Sequence, residues 1–354
     1  MKNIYLQIPD LLSSGYPLVL ATVTRTSGST PQKPGSSALF GEKGLVSGTV
    51  GGGIVEGKVQ KLGAEAILSK NSGLYHFNLA NDISNTEEAI CGGQISVLID
   101  ANLNNYISVF EQLNQSLLVK IPGVMITRVT SFTESAVMIN RYFMSESFTP
   151  EIPHESLEKL EPVVKSLLVE KNPSVYIEIE TGNEGTEPSA LFFLEPVFPP
   201  DHLVIAGAGH IGRALAHFCS LLDFEVTVID DRPEFANVGN IPDADHIIVK
   251  DIGEAMNEME KGEDTYVVIV TRGHKDDASA LKPCIGSYLA YLGMIGSKNK
   301  IATMRLNFIE NGWATSQQWD LIHAPVGLEI NSQTVDEIAV SIAAELVLVR
   351  NSKR

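Results

Sequence analysis

The sequence predicts an α/β protein that contains two domains. From about residue 201 onward, short apolar runs alternate with helical patterns, which is typical of a doubly wound parallel sheet with helices on both faces. The part before it mixes hairpin-like strands with helices and therefore predicts an α+β domain. The length of 354 residues also favours two domains, because one hydrophobic core rarely serves more than about 250–300 residues.

A proline-rich run marks the expected domain boundary. The stretch 195–200 reads EPVFPP, and its prolines interrupt both a helix and a strand ladder. We therefore expect an N-terminal α+β domain at 1–198 and a C-terminal domain at 199–354.

Hydrophobic spacing and turn residues predict the elements of the N-terminal domain. Strands are expected at 17–24, 37–40, 44–50, 94–100, 123–129, 136–142, 175–180 and 190–195. Helices are expected at 54–70, 106–121 and 155–171.

The C-terminal domain is expected to consist of alternating strands and helices. Its strands are expected at 202–206, 225–230, 245–249, 266–270 and 290–294. The last helix runs from about 335 to 350, and its start is indicated by Thr334 and Glu337, which have the spacing of a capping box.

A glycine-rich turn follows the first of these strands and predicts a Rossmann-like unit. Residues 207–212 read GAGHIG between the strand 202–206 and a helical pattern, an arrangement that is typical of dinucleotide binding. Gly207 would permit the tight turn, Gly209 the close approach of a phosphate, and Gly212 the close packing of helix on strand.

An acid follows this turn at the expected distance. Asp230 ends the second strand of the unit, 18 residues after Gly212, and stands where a carboxylate would meet a ribose hydroxyl. Arg232 comes shortly after it, so the pattern favours NAD over NADP only mildly. The alternative is a Rossmann fold that serves as a scaffold and binds no nucleotide.

Two further loops lie at the carboxyl ends of predicted strands, where doubly wound folds bind their ligands. The loop 271–277 contains Arg272 and His274, and His274 is a candidate acid, base or ligand that Asp277 would orient. A solvated turn with a helix-capping Asp is the alternative. The other loop ends at Ser297 before a lysine-containing helix and would bind a phosphate, although an N-cap role explains Ser297 equally well.

The N-terminal domain has its own glycine cluster. Gly51, Gly52 and Gly53 open a helix and would let the backbone approach a ligand, with Glu56 in the first turn facing the same space. A bulged hairpin and a tight strand-to-helix turn explain the same residues. Cys91 stands on a second glycine turn and is a candidate metal ligand or persulfide carrier, or else a small buried hydrophobe.

Composition excludes several classes of partner. A net charge of −17 and a pI near 4.9 argue against nucleic acid and against anionic membranes. The three cysteines, Cys91, Cys219 and Cys284, are too few for a disulfide framework and indicate a reducing compartment. Neither a signal peptide nor a membrane span is indicated, so we expect a cytoplasmic protein. A homodimer is expected because closed twofold pairs are the commonest soluble assembly.

Seven motifs stand in a specific order along the chain. They are TSGSTP at 26–31, GGGIVE at 51–56, CGG at 91–93, GAGHIG at 207–212, TRGH at 271–274, GMIGS at 293–297, and PVGL at 325–328 with 334–341. This order resembles the XdhC/CoxI family, accessory proteins that mature xanthine dehydrogenase and related molybdenum hydroxylases. The resemblance covers both ends of the chain, whereas residues 101–195 add little to it.

The resemblance implies a molybdenum cofactor chaperone rather than an enzyme with its own turnover. Such a protein binds the molybdopterin cofactor, protects it while a cysteine desulfurase supplies sulfur, and delivers it to the apo-hydroxylase. Molybdopterin is an anionic pterin with a phosphate, so it needs glycine turns rich in N–H groups and a few positive side chains. The turns 51–53 and 207–212 would then hold the cofactor together with Arg272, His274 and Ser297, and Cys91 would contact molybdenum or receive sulfur.

Two other functions fit the residues. An NAD-dependent oxidoreductase would use His274 as acid or base and hold its substrate in the N-terminal domain, and it predicts nicotinamide turnover. A nucleotide-sensing regulatory module would bind a nucleotide without chemistry and would be indifferent to substitution of His274 or Cys91.

Overall fold

The computed structural model describes residues 4–79, 92–133, 136–170, 174–179 and 190–352. The chain divides into two compact units, Met1–Pro199 and Pro200–Arg354. Each unit contains its own sheets and its own apolar clusters. The predicted fold class, a parallel doubly wound sheet after an α+β domain, is confirmed.

The first unit contains two antiparallel sheets and the helices that cover them. Its strands are β1 (Leu18–Ser27), β2 (Ser37–Gly41), β3 (Gly44–Gly48), β4 (Gly73–Asn78), β5 (Gln94–Asp100), β6 (Gly123–Thr133), β7 (Ala136–Ser145), β8 (Val175–Ile179) and β9 (Ala190–Val197). Its helices are α1 (Ile8–Ser13), α2 (Gly53–Ser69), α3 (Ile107–Leu118) and α4 (His154–Val169), with 3-10 turns at Ile4–Gln7 and Leu103–Tyr106. The strand β4 and the helix α1 have no counterpart among the predicted elements.

The central strand of the first sheet, β1, is buried on both faces along most of its length. Its strand order is β3-β2-β1-β5-β4, and all neighbours are antiparallel. Val19 and Val23 of β1 pack with Val59 of α2, whereas Leu20 points the other way and packs with Phe110 of α3. Because both faces of β1 are covered, its sequence reads as a continuous apolar run rather than an alternating one.

The second sheet has the order β7-β6-β9-β8 and is also antiparallel. Helix α4 covers one of its faces, where Leu160 and Leu167 pack with Ile126 and Phe192. The predicted strands at 123–129, 136–142, 175–180 and 190–195 all fall within this sheet.

The second unit is a parallel sheet with helices on both faces. Its strands are β10 (His202–Ala206), β11 (Glu225–Asp230), β12 (His246–Val249), β13 (Thr265–Ile269) and β14 (Tyr291–Met294). Its helices are α5 (His210–Leu221), α6 (Ile252–Glu258), α7 (His274–Leu281), α8 (Lys298–Glu310), α9 (Ser316–Asp320) and α10 (Val335–Ser352). The five predicted strands and the predicted terminal helix are confirmed to within a few residues.

All strands of this sheet are parallel, in the order β12-β11-β10-β13-β14. From β10 the chain first adds strands on one side, β11 and β12, and then on the other side, β13 and β14, so the switch point lies between β10 and β13. Helices α5 and α10 pack on one face through residues such as Leu215 and Ile342. The other face is covered by α6 to α9, with Met256, Phe308 and Trp319 in its core. The capping box that starts α10 is present, because Glu337 N–H donates to Thr334 Oγ1 at 3.3 Å. Among the residues that the structure describes, no helix combines the length and apolarity needed to cross a bilayer.

Candidate functional site

The glycine turn after β10 requires glycine for steric reasons at two positions and leaves space at a third. Gly207 has a φ of +116°, and a Cβ there would lie 2.6 Å from the carbonyl oxygen of Val270. A Cβ on Gly212 would overlap the carbonyl oxygen of Gly207. The Cβ position of Gly209, by contrast, has no non-adjacent atom of the described residues within 4 Å, and Gly209 begins α5 without a side-chain cap. The first N–H groups of α5 therefore lack an intrahelical acceptor and can bind an anion.

Asp230, at the end of β11, is engaged with the protein itself. It is only 1% exposed, and its Oδ2 accepts a hydrogen bond from the N–H of Ala208 at 2.7 Å. Arg232 adds a bidentate pair, with Nε to Oδ1 and Nη2 to Oδ2 both at 2.8 Å. Burial alone would raise the pKa of Asp230, but the hydrogen bonds from Arg232 and Ala208 outweigh it and hold the pKa below its usual value. Asp230 thus clamps the glycine turn to β11, and its contact with a ribose hydroxyl stays a prediction.

Two uncapped helices begin beside the point where the strand order reverses. Strand β10 leads to Gly209 and α5, and its neighbour β13 leads to Gly273 and α7. Gly273 has a φ of +96°, lacks a side-chain cap, and has open space at its Cβ position within the described part of the chain. Open α/β sheets bind ligands in the crevice at such a point. Gly209 and Arg272, an exposed side chain, follow these two strands, and their contact with a ligand stays a prediction.

The loops after β13 and β14 are tied together by one buried carboxylate. Asp277 on α7 is fully buried, accepts a hydrogen bond from the Thr271 hydroxyl at 2.6 Å, and forms an ion pair with Lys300 on α8. Lys300 also donates to the carbonyl oxygen of Ile295 at 3.4 Å. Asp277 therefore holds the two loops in register. The side chain of His274 lies outside the described atoms, so its acid–base role and its orientation by Asp277 stay predictions.

Ser297 and Glu56 are engaged with their own helix starts. The hydroxyl of Ser297 accepts the N–H of Lys300 at 3.3 Å, which is the N-cap role that its sequence context allowed. Glu56 accepts the Thr49 hydroxyl at 2.7 Å and the N–H of Val50 at 3.2 Å. Both side chains stabilise the turn before their helix, and their contacts with a ligand stay predictions.

Three glycine-containing loops of the first unit meet at one place. A Cβ on Gly51 would lie 2.8 Å from Cγ of Pro31, and a Cβ on Gly28 would lie 3.1 Å from Cα of Gly93. A Cβ on Gly93 would in turn lie 2.5 Å from the carbonyl oxygen of Ser27. Motifs that are far apart in the sequence thus pack closely, 27–29 against Gly93 through backbone atoms and Gly51 against the Pro31 ring. We call this group, residues 27–31, 51–53, 92 and 93, the N-terminal glycine cluster.

Three positions of the N-terminal glycine cluster have open space beside them among the described residues. Gly52 begins α2 with a φ of +65° and no side-chain cap. The Cβ positions of Gly52, Gly53 and Gly92 have no non-adjacent atom within 4 Å, as far as the described residues extend. Cys91 directly precedes Gly92 in the sequence but lies outside the described residues, so its catalytic and metal-binding roles stay predictions.

The other two cysteines are buried in the second unit. Burial raises the pKa of the Cys219 thiol to about 12 and that of Cys284 to about 11, so both are protonated and unreactive at neutral pH. Within the described ranges no three His, Cys, Asp or Glu side chains are placed to hold a metal ion.

A carboxylate on α10 organises a cluster that sequence reasoning missed. Glu345 accepts the hydroxyl of Tyr291 at 2.6 Å and the N–H of Gly327 at 2.7 Å, and it lies 2.9 Å from Nδ1 of His323. Burial would raise the pKa of Glu345, but these hydrogen bonds, the largest from His323, hold it below its usual value. The cluster fastens the PVGL motif to α10, where Ser341 also donates to the carbonyl oxygen of Leu328 at 2.6 Å.

Buried charges in the first unit were also missed. Arg141 pairs with Asp100 at 2.8 Å, and both side chains are at most 1% exposed. The hydroxyl of Tyr5 donates to Glu195 at 2.7 Å, and burial raises the pKa of Glu195 to about 7, against the lowering effects of Tyr5 and Arg141. The sequence does contain one indication of these buried charges: Glu195 stands within the otherwise apolar strand β9.

Comparisons with known proteins agree with this architecture. The model for the XdhC Rossmann domain matches residues 203–346, and the model for the XdhC and CoxI family matches residues 11–78. The chain is 26% identical to a Bacillus subtilis protein named as a probable xanthine dehydrogenase subunit, over 99% of this chain and 98% of that relative. It is 23% identical to the uncharacterized Escherichia coli protein YqeB over 99% of this chain, and it spans only 47% of the length of YqeB.

A solved structure is similar over the whole chain. A Bacillus halodurans protein, whose crystal structure is described as that of a xanthine dehydrogenase, superimposes with a TM-score of 0.77 at 25% identity, covering 99% of this chain and 96% of that one. The fold and its glycine turns thus define a two-unit α/β protein whose second unit is of the Rossmann type. The chain belongs to the XdhC and CoxI family, as the order of its motifs predicts.

Proposed function

We propose that this protein binds the molybdenum cofactor as cargo, supports its sulfuration and delivers it to an apo-hydroxylase of the xanthine dehydrogenase type. Membership of the XdhC and CoxI family supports this, as do the names of similar proteins that refer to xanthine dehydrogenase. The observation that carries the proposal is the N-terminal glycine cluster, in which the first three motifs of the family order meet. The partners that it requires are the apo-hydroxylase and a cysteine desulfurase.

The N-terminal glycine cluster has the chemistry that an anionic pterin phosphate needs. The uncapped start of α2 at Gly52 presents N–H groups without intrahelical acceptors. Gly52 and Gly53 have no side chains and leave room for the backbone to contact an anion directly. Lys33, two residues beyond Pro31, is exposed and adds positive charge near the loop. Such local donors can bind an anion although the whole chain has a charge of −17.

Cys91 is the residue that would carry a persulfide or bind molybdenum. It directly precedes Gly92, whose Cβ position is open toward the described residues. As a persulfide carrier, its thiolate would attack the outer sulfur of a persulfide on the desulfurase; the new S–S bond forms as the desulfurase thiolate leaves. As a ligand, the same thiolate would bind molybdenum directly.

The experiment that tests the proposal is anaerobic reconstitution of a hydroxylase. Purified protein is mixed with molybdenum cofactor, a cysteine desulfurase and cysteine, and the mixture is added to an apo-hydroxylase whose activity is then measured. We expect activation by the wild-type protein, strong loss with Cys91→Ala, and no loss with Cys219→Ala, which removes a buried thiol instead. Equal activation with and without the wild-type protein would contradict the proposal, and full activity of Cys91→Ala would remove the assigned role of Cys91 alone.

A further inference from the structure

At the end of β11, the acid that a spacing rule assigns to a ribose is already paired with Arg232. We propose that the pair Asp230–Arg232 closes the place where the adenosine ribose of a nicotinamide dinucleotide would bind, so that the second unit discriminates against both NAD(H) and NADP(H). This inference is independent of the molybdenum cofactor.

The carboxylate of Asp230 has no acceptor capacity left for a ribose. An ionised carboxylate offers about four lone-pair positions. Oδ1 accepts the backbone N–H of Arg232 at 3.0 Å and its Nε at 2.8 Å. Oδ2 accepts the N–H of Ala208 at 2.7 Å and Nη2 of Arg232 at 2.8 Å. A ribose diol could bind only by displacing Arg232 from a carboxylate that is otherwise buried.

Arg232 is itself held in place by the segment that follows β11. Its guanidinium lies 4.1 Å from the ring centroid of Phe235, which adds a cation–π contact. The side-chain amide of Asn240 donates to the carbonyl oxygen of Phe235 at 2.8 Å and to that of Ala208 at 3.4 Å. The segment therefore folds back onto the glycine turn, beside the pair Asp230–Arg232.

The charge at this place also opposes the 2′-phosphate of NADP(H). Asp230, Asp231 and Glu234 surround the single guanidinium of Arg232, which lies 3.9 Å from Asp231 and is paired with Asp230. The hydrogen bond to Asp230, together with the charges of Asp231 and Glu234, raises the pKa of Arg232. Three carboxylates against one guanidinium leave an excess of negative charge, which repels a phosphate dianion.

The phosphate-binding part of the turn is not closed by this arrangement. Gly209 keeps an open Cβ position with respect to the described residues, and α5 begins there without a side-chain cap. The discrimination therefore concerns the ribose and not the phosphate. Arg232 and Asp230 act as specificity-determining residues of the second unit.

Titration of the full-length protein with NADH and NADPH, followed by nicotinamide fluorescence, tests the inference. We expect the wild-type protein to show no saturation up to about 1 mM of either compound. Arg232→Ala removes two of the four donors from Asp230, and we expect it to bind NADH at least about tenfold more tightly than the wild type. The double variant Asp230→Asn/Arg232→Ala should lose this gain, because an amide cannot accept both ribose hydroxyls.

Two results would overturn the inference. The first is micromolar binding of either dinucleotide by the wild-type protein. The second is an Arg232→Ala protein that is folded, as shown by an unchanged unfolding transition, and yet gains no affinity for NADH. Neither result bears on cofactor delivery, so failure here is distinguishable from failure of the proposed function.

Discussion

A Cβ atom on Gly212 would overlap the carbonyl oxygen of Gly207, because the first turn of α5 crosses the glycine turn in direct contact. Gly209, between them, meets no non-adjacent atom of the described residues and has an ordinary φ of −72°. The two glycines are therefore different in kind. Gly212 is required by the fold, whereas Gly209 has open space beside it among the described residues.

Alanine substitutions should separate these two roles. We expect Gly212→Ala to lower the free energy of unfolding of the second unit by about 3 kcal/mol or more, since backbone must move. Gly209→Ala should change it by no more than about 1 kcal/mol. Both tryptophans, Trp313 and Trp319, lie in the second unit, so tryptophan fluorescence during chemical denaturation reports on this unit alone. Equal destabilisation by the two variants would show that the turn geometry is misassigned.

A corresponding pair of glycines exists in the N-terminal glycine cluster. A Cβ on Gly93 would lie 2.5 Å from the carbonyl oxygens of Ser27 and Ser29, whereas one on Gly92 would meet no atom of the described residues within 4 Å. We expect Gly93→Ala to destabilise the first unit, seen by circular dichroism, while the tryptophan transition of the second unit stays unchanged. Gly92→Ala should leave both transitions in place. If Gly93→Ala is as stable as Gly92→Ala, the loops do not meet as described.

Glu195 should make the stability of the first unit depend on pH. Burial raises its folded-state pKa to about 7 from an ordinary value of 4.5, so the folded state retains a proton that the unfolded state releases between these values. The free energy of unfolding should therefore fall as the pH rises from about 4.5 to 7, by at most roughly 3 kcal/mol, and level off above that window.

Substitution of Glu195 provides the measurement. Glu195→Gln keeps an acceptor for the Tyr5 hydroxyl but cannot titrate, so it should flatten the pH profile of unfolding followed by circular dichroism. Glu161→Gln, at an exposed position of the same unit, serves as the control and should leave the profile unchanged. A wild-type profile without this decline would mean that Glu195 is ionised at little cost in the folded state.

Removal of one partner from the ion pair Arg141–Asp100 should lower the free energy of unfolding of the first unit. Both side chains are buried, and Nη2 of Arg141 has no hydrogen-bond partner within the described part of the chain. Asp100→Ala would leave a buried guanidinium without its counter-ion and should cost about 3–5 kcal/mol. The double variant Asp100→Ala/Arg141→Met should cost less than the sum of its two single variants.

A surface ion pair offers the comparison for this cycle. Arg305 and Asp320 lie 3.2 Å apart with side chains 40% and 64% exposed. A double-mutant cycle at Arg305 and Asp320 should give an interaction free energy of no more than about 1 kcal/mol. Similar interaction energies for the two pairs would contradict the burial of the Arg141–Asp100 pair.

Most strands and helices could be predicted from the sequence. Positions that are buried carry apolar residues, so the spacing of apolar residues indicates which element they belong to. Strands β10 and β13 are buried along nearly all of their length and therefore read as apolar runs. The end of β1 could not be predicted in this way, since it continues to Ser27 through polar residues that pair with β5. Apolarity carries no information on that pairing, which joins residues about 70 positions apart in the chain.

The candidate sites could be predicted only in part. The glycine positions follow from local sterics, so the turn at 207–212 was located correctly. The partners of Asp230 and Asp277 could not be found, because Arg232 and Lys300 meet them through side-chain geometry that exists only in the folded unit. The spacing from Gly212 predicts that Asp230 binds a ribose. It contains no information on Arg232, whose guanidinium already donates hydrogen bonds to the same carboxylate.

The most direct test of the account is the amount of cofactor that the protein retains. Protein incubated anaerobically with molybdenum cofactor is separated by gel filtration, and bound pterin and molybdenum are measured per chain. We expect the wild type and the surface control Glu161→Gln to retain about one cofactor per chain. Gly92→Leu should retain much less, because its side chain would fill the open space at Gly92 in the N-terminal glycine cluster. A wild-type protein that retains neither pterin nor molybdenum, or a folded Gly92→Leu protein that retains both in full, would contradict the account.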